Sequence, residues 1–548
     1  MDYEQLVDVY ERLEQTTKKL EKRDILANFY SKVPKDELNT VVLLSMGVIS
    51  KKGEDLGIAF KMMKKIIAKV AGVSASEVEK TLKKTGDIGL TGEILLKKKR
   101  QKMLGRKKLS TEKVMSNLRK LIQISGAGSQ ERKIALVSEL LANAEPREAL
   151  YIIRNILGQM RTGVAEGIVR DALAKAFNQE PEEIEHAYNL LGNYGLVAEL
   201  AKKRNLSKIE LVVGRPVRVM LAQKAPNLET ALKKFAHPAL EVKIDGFRTQ
   251  IHKKGNEIKI FSRRMDDVTH QFPELVEWAR KYIRANSCII EGETVAIDPK
   301  TGKPLKFQKL SRRIQRKYNI DKMVKEIPIQ INLFDLLFVN HKNYMNKPLK
   351  ERWSKLKSII EQKKGKIVLV EHIETKDIKR AKEFYQKSLA TGEEGVMIKN
   401  LDAHYKPGKR VGYWLKVKPT MEPLDLVIIE AEWGKGKRAG WLSSFTLGAR
   451  MGNKFVPVGK MGTGLTDRQF KDLTKKLKAL IIDEHNGVAK IKPSVVVEVQ
   501  YEEIQKSPNY SSGYALRFPR LLRIRDPTDK GPEEADDIKR IKRLYKQQ

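Results

Sequence analysis

Apolar residues recur at helical spacing through the first 210 positions and at strand spacing beyond them. Leu6, Val9, Tyr10 and Leu13 share one helical face. So do Ala135, Leu136, Leu140 and Leu141, and again Ile152, Ile153, Ile156 and Leu157. Around Val212-Val213-Gly214-Arg215-Pro216-Val217 the texture changes to strands and turns. Short strands dominate from there to Pro419, with helices predicted over Pro273–Arg284 and Ile378–Leu389. Further strands are predicted at Leu424–Ala431, Ser443–Ala449, Lys454–Lys460, Ser494–Tyr501 and Leu516–Arg525. A helix is predicted at Lys471–Leu480 among these strands, and a charged helix, Glu533–Tyr545, closes the chain.

This pattern predicts a multidomain chain of α and α+β parts, and 548 residues suit about three to four domains. Residues 1–210 read as an all-α domain and 211–419 as an α+β domain. Residues 420–548 read as a small β-barrel with a terminal helix. The close strand spacing favours the OB type. With 41% hydrophobic residues the chain can build packed cores. Charge changes the picture more. Lys and Arg number 107 against 68 Asp and Glu, a formal +39, which points to a polyanion partner and foremost to nucleic acid. The single cysteine, Cys288, cannot form an internal disulfide and precedes Ile289-Ile290, so it reads as a core residue in a reducing compartment. The sequence has no apolar run of membrane-spanning length and no signal-peptide pattern. A cytoplasmic protein with no membrane partner is therefore expected.

Two glycine-bearing turns interrupt the helical region. Ser125-Gly126-Ala127-Gly128-Ser129 leads into Gln130-Glu131-Arg132-Lys133, and Arg161-Thr162-Gly163-Val164-Ala165-Glu166-Gly167 leads into Ile168-Val169-Arg170. Each puts small residues, free backbone N–H groups and basic side chains at a helix start. That arrangement suits a helix cap or a phosphate equally well. Two such turns in one basic helical domain favour contacts to a duplex backbone. The run from Lys97 through Lys108 reads as a basic loop.

The chemistry gathers around Glu241-Val242-Lys243-Ile244-Asp245-Gly246-Phe247-Arg248. On an extended strand Glu241, Lys243 and Asp245 share a face, while Val242 and Ile244 enter a core. Gly246 permits a tight turn or a close backbone approach. A lysine between two carboxylates is either a surface ladder of charges or, once desolvated, a covalent nucleophile. Lys-x-Asp-Gly alone decides nothing, since roughly one chain in fifteen of this length carries it by chance. Its companions matter more. Ser262-Arg263-Arg264 follows a strand, and Glu291-Gly292-Glu293 places two carboxylates on one strand face. Asn332-Leu333-Phe334-Asp335-Leu336-Leu337-Phe338 is a buried strand with one acid and a candidate aromatic platform. Glu394-Gly395-Val396-Met397-Ile398-Lys399 starts with another acid, and Trp414-Leu415-Lys416-Val417-Lys418 aligns Trp414, Lys416 and Lys418. Each alone reads more simply as core or solvated surface. Together they supply an amine for phosphorus, cations for phosphate oxygens, carboxylates for a hard divalent cation and a ring for a base.

In this order the motifs resemble those of the covalent nucleotidyltransferases. Within that superfamily the chain is similar to ATP-dependent DNA ligases of the archaeal replicative type, over nearly its whole length. Arg161–Gly167 and Ala515-Leu516-Arg517-Phe518-Pro519-Arg520 match the family's N- and C-terminal signatures. The resemblance implies a helical DNA-binding domain, an adenylation domain and an OB-fold domain. It implies that Lys243 takes AMP from ATP as a phosphoramidate, Glu241 reads the adenine amino group and Phe334 stacks on the ring. Arg248 and Arg263 would hold ribose and phosphate, Glu293 ribose or metal, Glu394 the metal, and Arg410, Lys416 and Lys418 the phosphates. Carboxylate ligands point to Mg2+ or Mn2+. AMP would pass to a 5′-phosphate at a nick in double-stranded DNA, and the 3′-hydroxyl would displace it.

By the same resemblance, Arg517, Arg520, Arg525 and Lys530 of the C-terminal barrel close over the pyrophosphate in the first step. Parent-like self-adenylylation in Arg517→Ala and Lys530→Ala would refute that. The family's sliding-clamp peptide carries paired aromatics, whereas Gln101-Lys102-Met103-Leu104-Gly105-Arg106 has none, so the clamp signal is weak. An enzyme that wraps one duplex is most simply a monomer. Two other readings compete: an RNA ligase or capping-type nucleotidyltransferase, and a non-catalytic DNA-binding scaffold. The helical first 210 residues disfavour the former, and the intact Lys243, Glu293, Glu394 and Lys416 disfavour the latter.

Overall fold

A computed structural model describes residues 1–49, 56–98, 108–305, 307–314, 319–419, 421–434, 438, 440–485 and 487–547. Gln101–Arg106 and most of the basic run around it lie outside the described residues. The chain forms two compact units, Met1–Lys418 and Pro419–Gln548.

From Tyr3 to Lys202 the described residues form twelve helices and no strand. Their apolar stripes meet in one core that includes Leu6, Val9, Tyr10, Leu13, Ile152, Ile153 and Ile156. One stripe is out of phase with the sequence reading. In the helix Ser129–Asn143 the buried set is Lys133, Val137, Leu140 and Leu141, while Ala135 is exposed. The four-residue step from 133 to 137 to 141 keeps these residues on one face, and Ala135 points away from it. Ser74, Asp87, Ser110 and Asn193 cap their helices by accepting the N–H three residues on.

Both glycine turns stand at helix starts, and both are held by the protein itself. Arg132 donates to the carbonyls of Ser125 and Ala127 at 2.8 and 3.2 Å. Arg161, at φ +60°, pairs with buried Asp87 at 2.7 Å, and Lys22 donates to the Thr162 carbonyl.

Two sheets follow within the same unit. The first has the order Gln223–Lys224, Trp414–Val417, Val396–Asn400, Pro238–Val242, His372–Glu374. The second runs Glu257–Ser262, Phe247–Lys254, Ser287–Ala296, Ile329–Val339, Lys342–Asn343, with Ile367–Leu369 parallel to Ile329–Val339. The chain crosses between the sheets through residues 243–246. This corrects the expectation of a continuous strand through Asp245: the strand ends at Val242. Gly246 shows why. A Cβ there would lie 2.6 Å from the Thr294 carbonyl oxygen, so the crossover presses directly onto the second sheet.

In the second unit, Leu424–Trp433 pairs with Leu442–Met451, Val488–Ile491 and Val496–Gln500 in a bulged, seven-stranded sheet. The helix Asp467–Lys478 buries Phe470, Leu473 and Leu477 against it. It starts four residues before the predicted position because Thr466 and Gln469 form a capping box. The predicted strand Leu516–Arg525 is two strands, Tyr514–Arg517 and Arg520–Ile524. Phe518 at φ +51° and Pro519 break the run. The closing helix is Ile538–Gln547, starting later than expected. Asp536 ahead of it accepts the Asp425 N–H at 2.8 Å, and Asp537 accepts from the Arg540 N–H.

Candidate active site

Strand register assembles the site. In the first sheet Met397 is opposite both Glu241 and Lys416, so the ends of three strands bring Lys243, Glu394 and Lys418 together. In the second, Arg248 is opposite Glu293, and Gly292 is opposite Leu333, which sets Phe334 beside them.

Lys243 lies on the crossover. Its N–H donates to Gly395 O at 2.8 Å and its carbonyl accepts from Glu394 N–H at 3.0 Å. Its ammonium forms an ion pair with Glu394 Oε2, and Lys418 holds Glu394 Oε1 at 3.0 Å. Gly395, at φ +127°, lies so close to the Val417 carbonyl that any side chain would force the strands apart. Burial works to raise the Glu394 carboxyl, but Lys243 and Lys418 outweigh it and keep it well below the carboxylate range. Glu293 goes the other way. Burial pushes it up to about 7 against Lys243 and Arg248, with Glu394 and Asp245 adding like charge. Glu393, which the sequence reading passed over, is also raised to about 7 by burial. The amine therefore sits among four carboxyl groups.

A second cluster is sealed. Glu241, 2% exposed, pairs with Lys399 at 2.5 Å and with His372 Nδ1 at 3.2 Å. Burial opposes its charge, yet Lys399 and His372 hold the Glu241 carboxyl below its ordinary value. Lys399 lies 4.6 Å from the Phe334 ring centre and 4.4 Å from that of Trp414, and these two rings meet edge to face. His372 stacks on Trp353 at 4.4 Å. Neither Lys399 nor His372 received a role from the sequence. Their partners are distant in the chain, and nothing local marks them.

Arg248 is half-buried, paired with Glu291 at 2.7 Å, and donates to Met220 O at 3.0 Å. Tyr405 Oη donates to the same Glu291 at 2.9 Å. Among the described residues, buried Arg248 Nε and Trp414 Nε1 have no hydrogen-bond partner. Arg263 is exposed, within electrostatic reach of Arg248, Glu293 and Arg410, while Arg410 itself is exposed. Lys416 is half-buried on the strand Trp414–Val417, and Lys418 follows just beyond it. All the residues singled out in the first unit thus fall around the two sheets and their crossover. Those of the second unit form their own group. Lys530 pairs with Asp425 at 2.8 Å, Arg525 lies 3.7 Å from the same acid, Arg517 pairs with Glu503, and Arg520 is exposed.

Among the described residues no cluster of three or more acidic, His or Cys side chains is arranged to hold a metal. Likewise no helix is long and apolar enough to cross a membrane.

A helical region, two sheets joined by the crossover at Lys243, and a strand-rich unit follow one another along the chain, and this order matches three family models. "DNA ligase N terminus" matches residues 2–174, "ATP dependent DNA ligase domain" 219–418, and "ATP dependent DNA ligase C terminal region" 438–528. The chain belongs to the ATP-dependent DNA ligases, enzymes that seal nicks in DNA. It is 44% identical over 563 residues to the DNA ligase of Nanoarchaeum equitans, covering 100% of this chain and 99% of that protein. The DNA ligase of Thermococcus onnurineus is 44% identical over 553 residues, with 100% and 98% covered. Among solved structures, Pmar-Lig_PreS3 has a TM-score of 0.58 at 18% identity, covering 95% of this chain and 99% of that one, a likeness of fold.

Proposed function

We propose that Lys243 is the nucleophile of nick sealing. Its neutral Nζ attacks the α-phosphorus of ATP, a P–N bond forms, pyrophosphate leaves, and the amine proton is lost to the carboxylate-rich surroundings. The observation that carries this is its position on the crossover, with an acid-lined first sheet on one side and the Phe334–Arg248 face on the other. A 5′-phosphate oxygen at the nick then takes AMP from Lys243, and the 3′-hydroxyl displaces AMP to form the phosphodiester. Each step exchanges one bond at phosphorus for another. Catalysis therefore rests on placement and on neutralising charge.

In this reading the remaining residues divide by chemistry. Phe334 stacks on adenine, and Glu241, fixed by Lys399 and His372, accepts from its amino group. A carboxylate oxygen carries lone pairs beyond those already engaged. Arg248 and Arg263 hold ribose and phosphate, and Arg410, Lys416 and Lys418 hold phosphate oxygens. Glu293 and Glu394 suit Mg2+ or Mn2+. The like charges crowded around Glu293 are what a divalent cation relieves, and two carboxylates plus nucleotide phosphates are a usual magnesium set. When bound, the cation adds positive charge at the phosphates. The helical region's two glycine turns contact the duplex backbone, and the barrel's Arg517, Arg520, Arg525 and Lys530 serve the pyrophosphate. Residues 1–210, 211–419 and 420–548 act as three functional parts of a monomer working on cytoplasmic, nucleoid DNA.

Labelled ATP and divalent metal, followed by denaturing electrophoresis, test the proposal. The parent retains covalent AMP and joins nicked DNA, whereas Lys243→Ala does neither. A labelled Lys243→Ala protein would sink it.

A further inference from the structure

The turn Arg161–Gly167 ends in an acid that faces the nucleotide site's support. Glu166 Oε2 pairs with Arg218 at 2.9 Å, and Glu166 Oε1 accepts from Tyr188 Oη at 2.9 Å. The Arg218 guanidinium also lies 4.9 Å from the Tyr188 ring centre, and its backbone N–H donates to Asn189 O at 3.0 Å. Tyr188 in turn stacks on Tyr194 at 3.7 Å. Arg218 is thus held by the helical region through its guanidinium and its backbone.

Two residues on, the Met220 peptide is pinned on both sides. Its N–H donates to Tyr405 Oη at 2.8 Å, and its carbonyl accepts from Arg248 at 3.0 Å. The neighbouring backbone ties down the loop that carries Arg410. Gly408 N–H donates to Val219 O at 3.3 Å and Leu221 N–H to Lys409 O at 3.0 Å, while the Gln223 side chain donates to Arg410 O at 3.0 Å. One segment, 218–223, therefore joins a helix start of the helical region to two of the three arginines expected to touch the nucleotide, Arg248 and Arg410. The path runs through these hydrogen bonds and the short stretch of backbone that links them.

We infer that Arg218 is a positioning residue. Clamped by Glu166 and Tyr188, it sets Met220 and through it Arg248 and the Arg410 loop, so the helical region tunes ATP binding in the first chemical step. This rests on the nucleotide reading given above, but Arg218 touches no nucleotide in it. A residue acting this way changes how well ATP is held and leaves the nucleophile's chemistry alone.

The test is the rate of single-turnover self-adenylylation of the full chain with labelled ATP, without DNA, where KM stands for the ATP concentration giving half the maximal labelling rate and kcat for that maximal rate constant. Arg218→Ala and Glu166→Gln each raise the KM for ATP about tenfold, within the usual range of site-to-site coupling, and leave kcat within about twofold. The exchange variant, Glu166→Arg with Arg218→Glu, restores the KM to within about threefold. A merely structural role would move kcat, KM and thermal stability together and would not be rescued by exchanging the charges. Should Arg218→Ala fail to fold, Arg218→Lys keeps the charge but loses the fork geometry and is measured instead, with the same expected rise in KM. A parent-like KM in the folded variants, or a fall in kcat at unchanged KM, overturns the inference. A parent that takes no label at all would instead overturn the nucleotidyl-transfer reading.

Discussion

Two lysine–glutamate pairs draw on the same first sheet and its crossover and behave differently. Lys243 with Glu394 lies at the crossover, partly open, with Glu293, Glu393 and Asp245 nearby. Lys399 with Glu241 is sealed, the lysine 1% exposed and pressed between Phe334 and Trp414. The sealed pair offers no surface for chemistry on phosphate, because Lys399 and Glu241 are 1% and 2% exposed. It is well suited to fixing one carboxylate in one orientation. The open pair is the reverse: its glutamate is shared by two lysines, so either can be released while the acid stays neutralised. An identical pair of residue types is sealed into the core in one setting and left partly open with a second lysine partner in the other. Burial and the number of partners decide which.

The largest way to break this contrast is Lys399→Met. It leaves Glu241 as a buried charge with only His372 beside it and lowers stability by about 3–5 kcal/mol in urea unfolding. The double variant Lys399→Met with Glu241→Leu removes both charges and recovers most of that loss. If the single change were neutral, the sealed pair would not be a support. Lys243→Met, at the open end, leaves Glu394 with Lys418 and shifts stability far less.

The acid side of the open end predicts a pH effect. Glu293 is raised from 4.5 to about 7 in the fold. The folded chain therefore binds a proton that the unfolded chain releases near 4.5, so this group's contribution is fully present below about 4.5 and is lost as pH rises through about 7. Glu393 acts in the same direction. In chelator, Glu293→Gln flattens the parent's decline over that window by roughly 1–3 kcal/mol. An unchanged slope would show that Glu293 is ionised throughout.

The smallest effect probes the wall between the two pairs. Phe334→Ala raises the KM for ATP by an amount worth about 1–3 kcal/mol, the usual value of one base stacked on an aromatic ring, and Phe334→Trp retains most of the affinity. Equal KM values for Phe334→Ala and parent would remove the platform role.

Much of this was legible before any coordinates. The alternation through Trp414–Lys418 and the acid at Glu394 read directly as strand ends, and helical spacing gave the first 210 residues. The Lys243 segment was misread as continuous strand because its alternation is perfect. Only the pressure of Gly246 on the Thr294 carbonyl, a contact between residues far apart in sequence, ends it. Lys399 has no local mark of a role, since its meaning comes from Glu241 and two rings that are distant in the chain. Glu393 was hidden for a related reason: two adjacent acids read as surface, and only the fold turns both toward one amine. Pro519 was visible inside the predicted strand Leu516–Arg525, and its break there could have been read from its fixed φ alone.

Gly395 has a consequence of its own. The spacing between the Lys243 segment and the strand bearing Lys416 is set by a missing atom, at a backbone angle of +127° that other residues rarely adopt. Drift at this position is therefore closed off by sterics before chemistry is consulted, and even a methyl group would pry the neighbouring strands apart.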